Sequence, residues 1–564
     1  MEPTRLFDIL DVYRTDYANK EDAFAKNVNG KWIKYSSKDY IDLSTNISLG
    51  LLELGLQKGD KVATISQNRP EWNMMDMGIA QAGLVHVPVY PTISSAEQEY
   101  ILNHCEAKVL CVSDQMLLKK VKKVLKKVPS VMAVYTYNEI QGEKHWLSLV
   151  QLGKSAAEKR KPQLEEIRET TRPEDLLTII YTSGTTGNPK GVMLSHRNLM
   201  SNTLITVPRL PLRHPDKAIS FLPLCHVYER MVNYVYQLNG IGIYYVENLA
   251  RIGDFVREVK PQIFNTVPRL LERVYDNFVK KGKDLSGIKK IIYFWAIKVA
   301  HQYKKPGKNS WLYERRRSLA DKLIYTHWRN GLGGELKIIV SGGSALQARL
   351  IRIFWAAGMP VYEGYGLTET SPVIAVNDPR SFKDVCFGTV GTPMENLEVK
   401  IAEDGEILCK GPSVMMGYYK DEEQTKETIK EGWLHTGDIG ILVDDKFLKI
   451  TDRKKEIFKN SAGKYIAPQV IENIMKESSL IEQAMVVGEN EKFASALIAP
   501  NFDYLHFWAS KHKVHYEDNV ELVRKKEVIE RMQKEINIVN KRLGQVEQIK
   551  RFRMVCDPWS PETG

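Results

Sequence analysis

The 564-residue sequence has no apolar run long enough to cross a bilayer: its best, IIYFWAIKVA at 291–300, is half a span and carries Lys298. The opening MEPTRLFDILDVYRTDYANKEDAF has none of the apolar core of a secretory leader. Six cysteines (Cys105, Cys111, Cys225, Cys386, Cys409 and Cys556) lie apart without a C-x-x-C pair, which excludes a disulfide framework or a zinc ribbon. Internal repeats are also absent. Low complexity is confined to KKVKKVLKKV at 119–128, where Val121, Val124, Leu125 and Val128 follow helical spacing, so a solvated basic face on an ordinary amphipathic helix is expected. These absences point to a reducing, cytoplasmic setting.

What remains is the make-up of a large globular protein, 43% hydrophobic and 26% charged with a mean hydropathy of -0.32. The length calls for two or more domains. The formal net charge is +11, and it is local. Between 281 and 330 thirteen basic residues face three acidic ones, a net of +10. Trp295, Trp311, Trp328, Phe294, Tyr303 and Tyr313 are mixed among them. Basic and aromatic residues together suit an anionic interface, so peripheral contact with the inner membrane surface through 281–330 is set against a plain charged helical hairpin.

Along the chain KVATISQ, HVPVYP, KVLCVS, LLTIIYTSG, AISFLPL, IGIYYVE, IFNTVP and LKIIVSGG alternate with helical patterns, which implies parallel sheets wound by helices. After Gly388 short alternating strands take over, with Asp404-Gly405 as a hairpin turn, and a small barrel is expected over about 388–451. The polar run from Thr451 to Pro468 marks a boundary, giving domains 1–451 and 452–564. The fold class is therefore α/β: a large N-terminal domain of two doubly wound β/α subdomains plus a β-barrel, and a small mobile α+β C-terminal domain.

The stretch YTSGTTGNPKGV, Tyr181 to Val192, follows an apolar strand and is suited to phosphate. Gly184, Gly187 and Gly191 let backbone N–H groups approach phosphate oxygens, Ser183, Thr185 and Thr186 add hydroxyls, and Lys190 adds a point charge. A Walker loop needs Lys followed by Ser or Thr, whereas Gly191 follows Lys190 here. Four more motifs stand downstream: SGGSAL (341–346), YEGYGLTET (362–370), GWLHTGDIG (432–440) and DRKKEIFKNSAGKYIAP (452–468). Tyr365 offers a ring face for a base, Glu369 an oxygen ligand for Mg²⁺, and Asp438 an acceptor for ribose hydroxyls.

The five motifs, in this order, resemble those of the adenylate-forming superfamily of acyl-CoA synthetases, luciferases and peptide-synthetase adenylation domains. The resemblance implies ATP, Mg²⁺ and coenzyme A as cofactor and cosubstrates. It implies a nucleotide site built from Ser183, Gly184, Thr185, Thr186, Gly187, Lys190, Gly342, Gly343, Ser344, Ala345, Glu363, Gly364, Tyr365, Gly366, Thr368, Asp438 and Arg453. Thr185 and Glu369 are implied as metal ligands, and Lys190, Thr185, Glu369 and His226 of LPLCHVYER as the catalytic group. Lys455 falls at the implied hinge, and Ser461 and Gly463 in the loop that approaches coenzyme A.

The implied reaction has two steps, acyl-adenylate formation with release of pyrophosphate, then displacement of AMP by the thiol of coenzyme A. The 64 residues between VPRLLERVYD and SGGSAL, with the form FLPLCHVYER, resemble long-chain fatty acid–CoA ligases, so a long-chain fatty acid is the expected substrate. A range of lengths is expected, because one methylene discriminates by only about 1–3 kcal/mol. Where some such enzymes place a gating Trp, this sequence has Arg230. The resemblance also implies a bridging lysine in a segment like L-T-x-T-x-K beyond WSPETG. Lys541 and Lys550 lie in other contexts, so the C-terminal domain is expected to be truncated and adenylation slow. Transfer of the acyl group to a carrier protein is the near alternative. A basic nucleotide- or nucleic-acid-binding regulator leaves the five motifs unexplained, and no nucleic acid is expected.

Overall fold

The computed structural model describes residues 3–182, 188–461, 464–557 and 559. All eight strand-like runs before residue 342 form strands. Lys61–Ile65, Val85–Val89, Val109–Val112, Ala133–Thr136 and Leu176–Thr182 make the parallel part of a seven-stranded sheet. Their Val, Ile and Leu side chains are buried nearly without alternation, as strands covered on both faces require. Leu176–Thr182 then turns back into the antiparallel strand Lys190–Ser195, so Lys190 opens a strand rather than a helix. Ser195 caps the following helix His196–Thr206 by accepting from the Asn198 N–H at 3.1 Å.

A nine-stranded sheet holds Val361–Gly366, Ile338–Ser341, Ile263–Thr266, Lys217–Ser220, Gly242–Tyr245 and Phe24–Val28 side by side and parallel. Antiparallel strands flank it: Val373–Val376 and Thr392–Pro393 at one edge, Lys31–Tyr35 at the other. Thus Ser341 and Glu363, from two of the motifs, are register partners at neighbouring strand ends. Ligands of open α/β sheets bind at that carboxyl edge.

The region expected as a barrel is a five-stranded sheet ordered Glu398–Ile401, Glu406–Lys410, Trp433–Val443, Ile429–Lys430, with Phe447–Arg453 also paired to Trp433–Val443. Gly405 turns at φ +85°, a conformation only glycine adopts without strain.

The basic helix at 119–128 is Gln115–Leu125, capped by Asp114, with Leu117, Leu118, Val121 and Val124 buried and most lysines outward. The 281–330 segment is helical: Gly287–His301, Trp311–Ala320, a π-helical turn Asp321–Tyr325, and Thr326–Gly331. Of its eight aromatics, Tyr293, Tyr303, Tyr313, Tyr325 and Trp328 are buried core. No described helix is long and apolar enough to cross a membrane.

The chain divides into two compact units: one of 1–346, 350–399 and 409–434, the other of 347–349, 400–408 and 435–564. The second has its own core of Ile471, Leu480, Ile498, Leu505, Met532 and Ile536. It contains the sheet Ile481–Val487, Ser495–Pro500, Arg551–Met554 and the helices Pro468–Met475, Phe502–Lys511 and Lys526–Asn540.

Candidate active site

In the first unit, Lys190 and Glu369 lie on two sides of one tyrosine. The Tyr418 hydroxyl donates to Glu369 Oε1 at 2.9 Å, and the Lys190 ammonium sits 5.4 Å from the Tyr418 ring centroid. Tyr418 reaches this place because Gly417–Tyr418 pairs antiparallel with Met193 and Val192 on the strand that Lys190 opens. Lys190 also donates to Gln424 Oε1, and the Glu369 carbonyl accepts from the Met415 N–H at 2.8 Å. A cleft of about 290 Å³ opens beside the lysine, lined by Tyr100, His104, Lys190, Tyr418, Tyr419 and Gln424. Burial foremost, then the Glu369 charge, holds the Tyr418 phenol above its usual pKa, so it stays a donor to the carboxylate. Nothing in the GYYKD sequence singles out Tyr418 without its strand partner.

SGGSAL and YEGYGLTET meet at neighbouring strand ends. Ser341 ends its strand buried, and Gly343, Ser344 and Ala345 follow it exposed. Gly343 has φ +83°, and a Cβ on Gly342 would stand 3.4 Å from the Tyr228 ring and 3.6 Å from the Gly364 carbonyl oxygen. The positive φ at Gly343, rather than crowding at Gly342, is what favours glycine here. Gly366 lies where the strand Val361–Gly366 slips register against Val373–Val376; a Cβ there would meet the Pro372 carbonyl at 1.7 Å. Thr368 is buried, and Tyr365 and Gly364 are half-buried.

Glu363 is the chemically unusual member. One carboxyl oxygen accepts the Leu346 N–H at 3.1 Å, and the other, buried, has no partner. Burial pushes its pKa up to about 8, so near pH 7 the group carries a proton.

His226 caps the helix Val227–Leu238, its Nδ1 accepting from the Tyr228 N–H at 3.1 Å. That bond leaves the proton on Nε2. The ring is solvent-exposed yet has protein on most sides, and this desolvation lowers its pKa. A neutral imidazole with one outward donor results. Tyr228 ties this helix to the strand Ile338–Ser341, its hydroxyl donating to the Val340 carbonyl at 3.2 Å.

Deeper in the same helix, Ser220 donates to Glu229 at 2.6 Å, and burial pushes the Glu229 pKa up to about 7. Arg230 lines no gate. It is fully buried, paired with Asp76 at 2.5 Å and bonded to Tyr234 and Thr178 at 2.6 and 2.7 Å. Asp76 also holds His86 at 2.6 Å. Burial would raise the Asp76 pKa, but Arg230 and His86 overcome it and bring the pKa down to about 2.

In the second unit the TGD motif lies inside the strand Trp433–Val443, where Gly437 takes φ +73°. Asp438 is buried, is the register partner of Arg453, and pairs with its guanidinium at 3.3 Å. Glu406 anchors this part of the strand, accepting from the Gly437 N–H at 2.9 Å and Lys454 Nζ at 2.8 Å, with His435 at 3.0 Å. Burial raises its pKa, and these donors more than reverse the effect. Asp452 accepts the N–H groups of Arg453 at 2.7 Å and Gln469 at 3.2 Å, joining the strand Phe447–Arg453 to the helix Pro468–Met475. Burial pushes its pKa up to about 6. Glu406, Asp452 and Tyr228 act through the backbone they hold, which no motif spacing reveals. Lys455 and Ser461 are exposed, and the Ser461 N–H donates to the Glu491 carbonyl at 2.9 Å. Ser183, Gly184, Thr185, Thr186, Gly187 and Gly463 lie outside the described residues.

Residues 14–419 match the model of the AMP-binding enzyme family, and 456–562 that of the AMP-binding enzyme C-terminal domain. The chain is 31% identical over 547 residues to long-chain-fatty-acid–CoA ligase FadD15 of Mycobacterium bovis, covering 96% of this chain and 90% of that one. It is 34% identical over 570 residues to long-chain-fatty-acid–CoA ligase 1 of Cavia porcellus, covering 95% and 79%. Among solved structures it resembles an anthranilate CoA ligase in complex with anthranoyl-AMP, with a TM-score of 0.72, 19% identity and 99% and 95% coverage. A Mycobacterium tuberculosis fatty acyl CoA synthetase gives 0.65, 19%, 99% and 96%. With Lys190 and Glu369 joined through Tyr418 and two glycine-lined strand ends beside Glu363, the chain belongs to the AMP-binding, adenylate-forming enzyme family.

Proposed function

We propose that the protein ligates a long-chain fatty acid to coenzyme A through an acyl-adenylate. A carboxylate oxygen of the acid attacks the α-phosphorus of ATP, and the bond to pyrophosphate breaks. The thiol sulfur of coenzyme A then attacks the acyl carbonyl, and AMP leaves. The observation that carries this reading is the Lys190–Tyr418–Glu369 arrangement, a cation and an anion held on one aromatic ring beside a cleft. Similarity over nearly the whole chain to long-chain fatty acid–CoA ligases supports the substrate class.

Carboxylate and triphosphate repel each other, so the site must neutralise charge while holding both in line. Lys190 supplies fixed positive charge toward the phosphates. His226, neutral and with Nε2–H outward, donates a hydrogen bond near the acyl carboxylate without adding a charge. Glu363 and Tyr365 take the adenine, Gly342 to Ala345 give it backbone to lie against, and Asp438 and Arg453 take the ribose and its phosphate. Among the described residues no three acidic, His or Cys side chains gather as a protein cage for a metal. A single carboxylate such as Glu369 fits Mg²⁺, which uses one or two carboxylates together with substrate phosphates. Bound there, Mg²⁺ would neutralise phosphate charge, with Thr185 as the second proposed ligand. Residues 452–564 are proposed as the lid over 1–451, with Lys455 at its hinge and Ser461 and Gly463 toward coenzyme A. Membrane contact through 281–330 belongs to the same proposal.

A panel of C8 to C20 fatty acids with ATP, Mg²⁺ and coenzyme A, read by mass for thioester and AMP, tests this. Long acids are expected to give both products, and Lys190→Ala to lower the rate about 10²-fold or more. Acyl-AMP accumulating without thioester would instead assign acyl transfer to a carrier protein.

A further inference from the structure

Outside the site, the most conspicuous unexplained surface lies on the helices Gly287–His301 and Trp311–Ala320 with its π-helical continuation. Ile288, Ile291, Trp311, Leu312, Leu319 and Leu323 are between 42% and 72% exposed. Singly, exposed apolar side chains need no explanation; six within 36 residues do.

Their placement follows from how the two helices pack. The Tyr313 and Tyr325 hydroxyls donate to the carbonyls of Val299 and Ala296 at 2.9 and 2.7 Å, fixing one helix on the other. The sides carrying Tyr293, Ala296, Ile297 and Ala300, and Tyr313, Ala320 and Ile324, are thereby buried. Leu312, Leu319 and Leu323, at i, i+7 and i+11, line one exposed flank of their helix, with exposed Arg315, Arg316 and Lys322 among them. Ile288 and Ile291 likewise stand away from the buried side, together with exposed Lys298. The Arg315 guanidinium lies over the Trp311 ring at 4.0 Å, an aromatic carrying a cation on its face.

We propose that this mixed apolar and basic face docks on the surface of an anionic phospholipid bilayer, the leucines and isoleucines entering the headgroup boundary and the basic heads pairing with lipid phosphates. Charge complementarity selects this occupant: the segment carries a net +10, an anionic leaflet attracts each cation, and apolar side chains add burial. The face names which residues would make the membrane contact proposed above. It does not depend on the acyl chain preferred.

The test is co-sedimentation of the whole chain with vesicles of phosphatidylcholine alone or with 30% phosphatidylglycerol. Binding at least tenfold stronger to the anionic vesicles, and weakening as salt rises, is expected. Arg315→Glu with Arg316→Glu and Lys322→Glu should abolish the anionic preference. Leu312→Ser with Leu319→Ser and Leu323→Ser should remove at least tenfold of the binding. AMP release with octanoate, soluble without vesicles, should be unchanged in both variants, showing that they fold. Wild-type protein that ignores anionic vesicles, or variants that bind as wild type does, would overturn the proposal. A concentration-dependent dimer abolished by the serine variant would overturn it too, assigning the face to a second copy. Octanoate turnover is read on the same samples, so its absence would count against the ligase reading and leave the lipid result standing.

Discussion

Tyr418 shows how one side chain sets two others. Its hydroxyl holds Glu369 and its ring faces Lys190, so Tyr418→Phe keeps the ring but releases the carboxylate. A hydrogen bond to a charged group contributes about 1.5–3 kcal/mol, so kcat for adenylation should fall about 10- to 100-fold. Pyrophosphate release measures this, and an unchanged melting temperature would separate it from loss of fold. Glu363 gives a pH prediction. Its folded pKa near 8 lies above the ordinary 4.5, so folding takes up a proton. Its contribution to stability is complete below about pH 4.5 and is lost as pH rises through 8. Glu363→Gln, which cannot ionise, should therefore gain melting temperature relative to the parent between pH 5 and 9 and show little difference at pH 4.5, in a thermal-melt series.

Among elements, the strand Val361–Gly366 carries the tightest steric demand. Any side chain at position 366 collides with the Pro372 carbonyl, so Gly366→Ala should destabilise by more than about 3 kcal/mol and lower soluble yield, as thermal melts would show. The helix Val227–Leu238 presents His226 at its first turn and is pinned by Glu229 and Arg230. Arg230→Met would leave Asp76 as a buried, unpaired charge beside His86, a loss of about 3–5 kcal/mol. Denaturant melts should show that loss, and Asp76→Asn in the same chain should recover part of it. The eight strands named from the sequence were legible because buried parallel strands read as continuous apolar runs. The hairpin Phe24–Val28 with Lys31–Tyr35 was not legible, because the half-exposed outer strand KWIKY at the sheet edge mixes Lys with aromatics.

For the molecule as a whole, the motifs alone pointed to the family, since each needs only residue types at fixed spacing. The sequence therefore determined the α/β class, the phosphate and adenine motifs and the basic character of 281–330. Tertiary structure decided the rest. It brought Tyr418 from more than two hundred residues away to the strand of Lys190, made Glu406 the anchor of the TGD segment, and turned Arg230 into a buried ion pair. It also sorted the aromatics of 281–330 into core and surface, burying Trp328, Tyr303 and Tyr313 while leaving Trp311 out. The physical reason is common to all four. Spacing along the chain records what neighbours in one element can do, whereas desolvation and pairing depend on which elements the fold lays side by side.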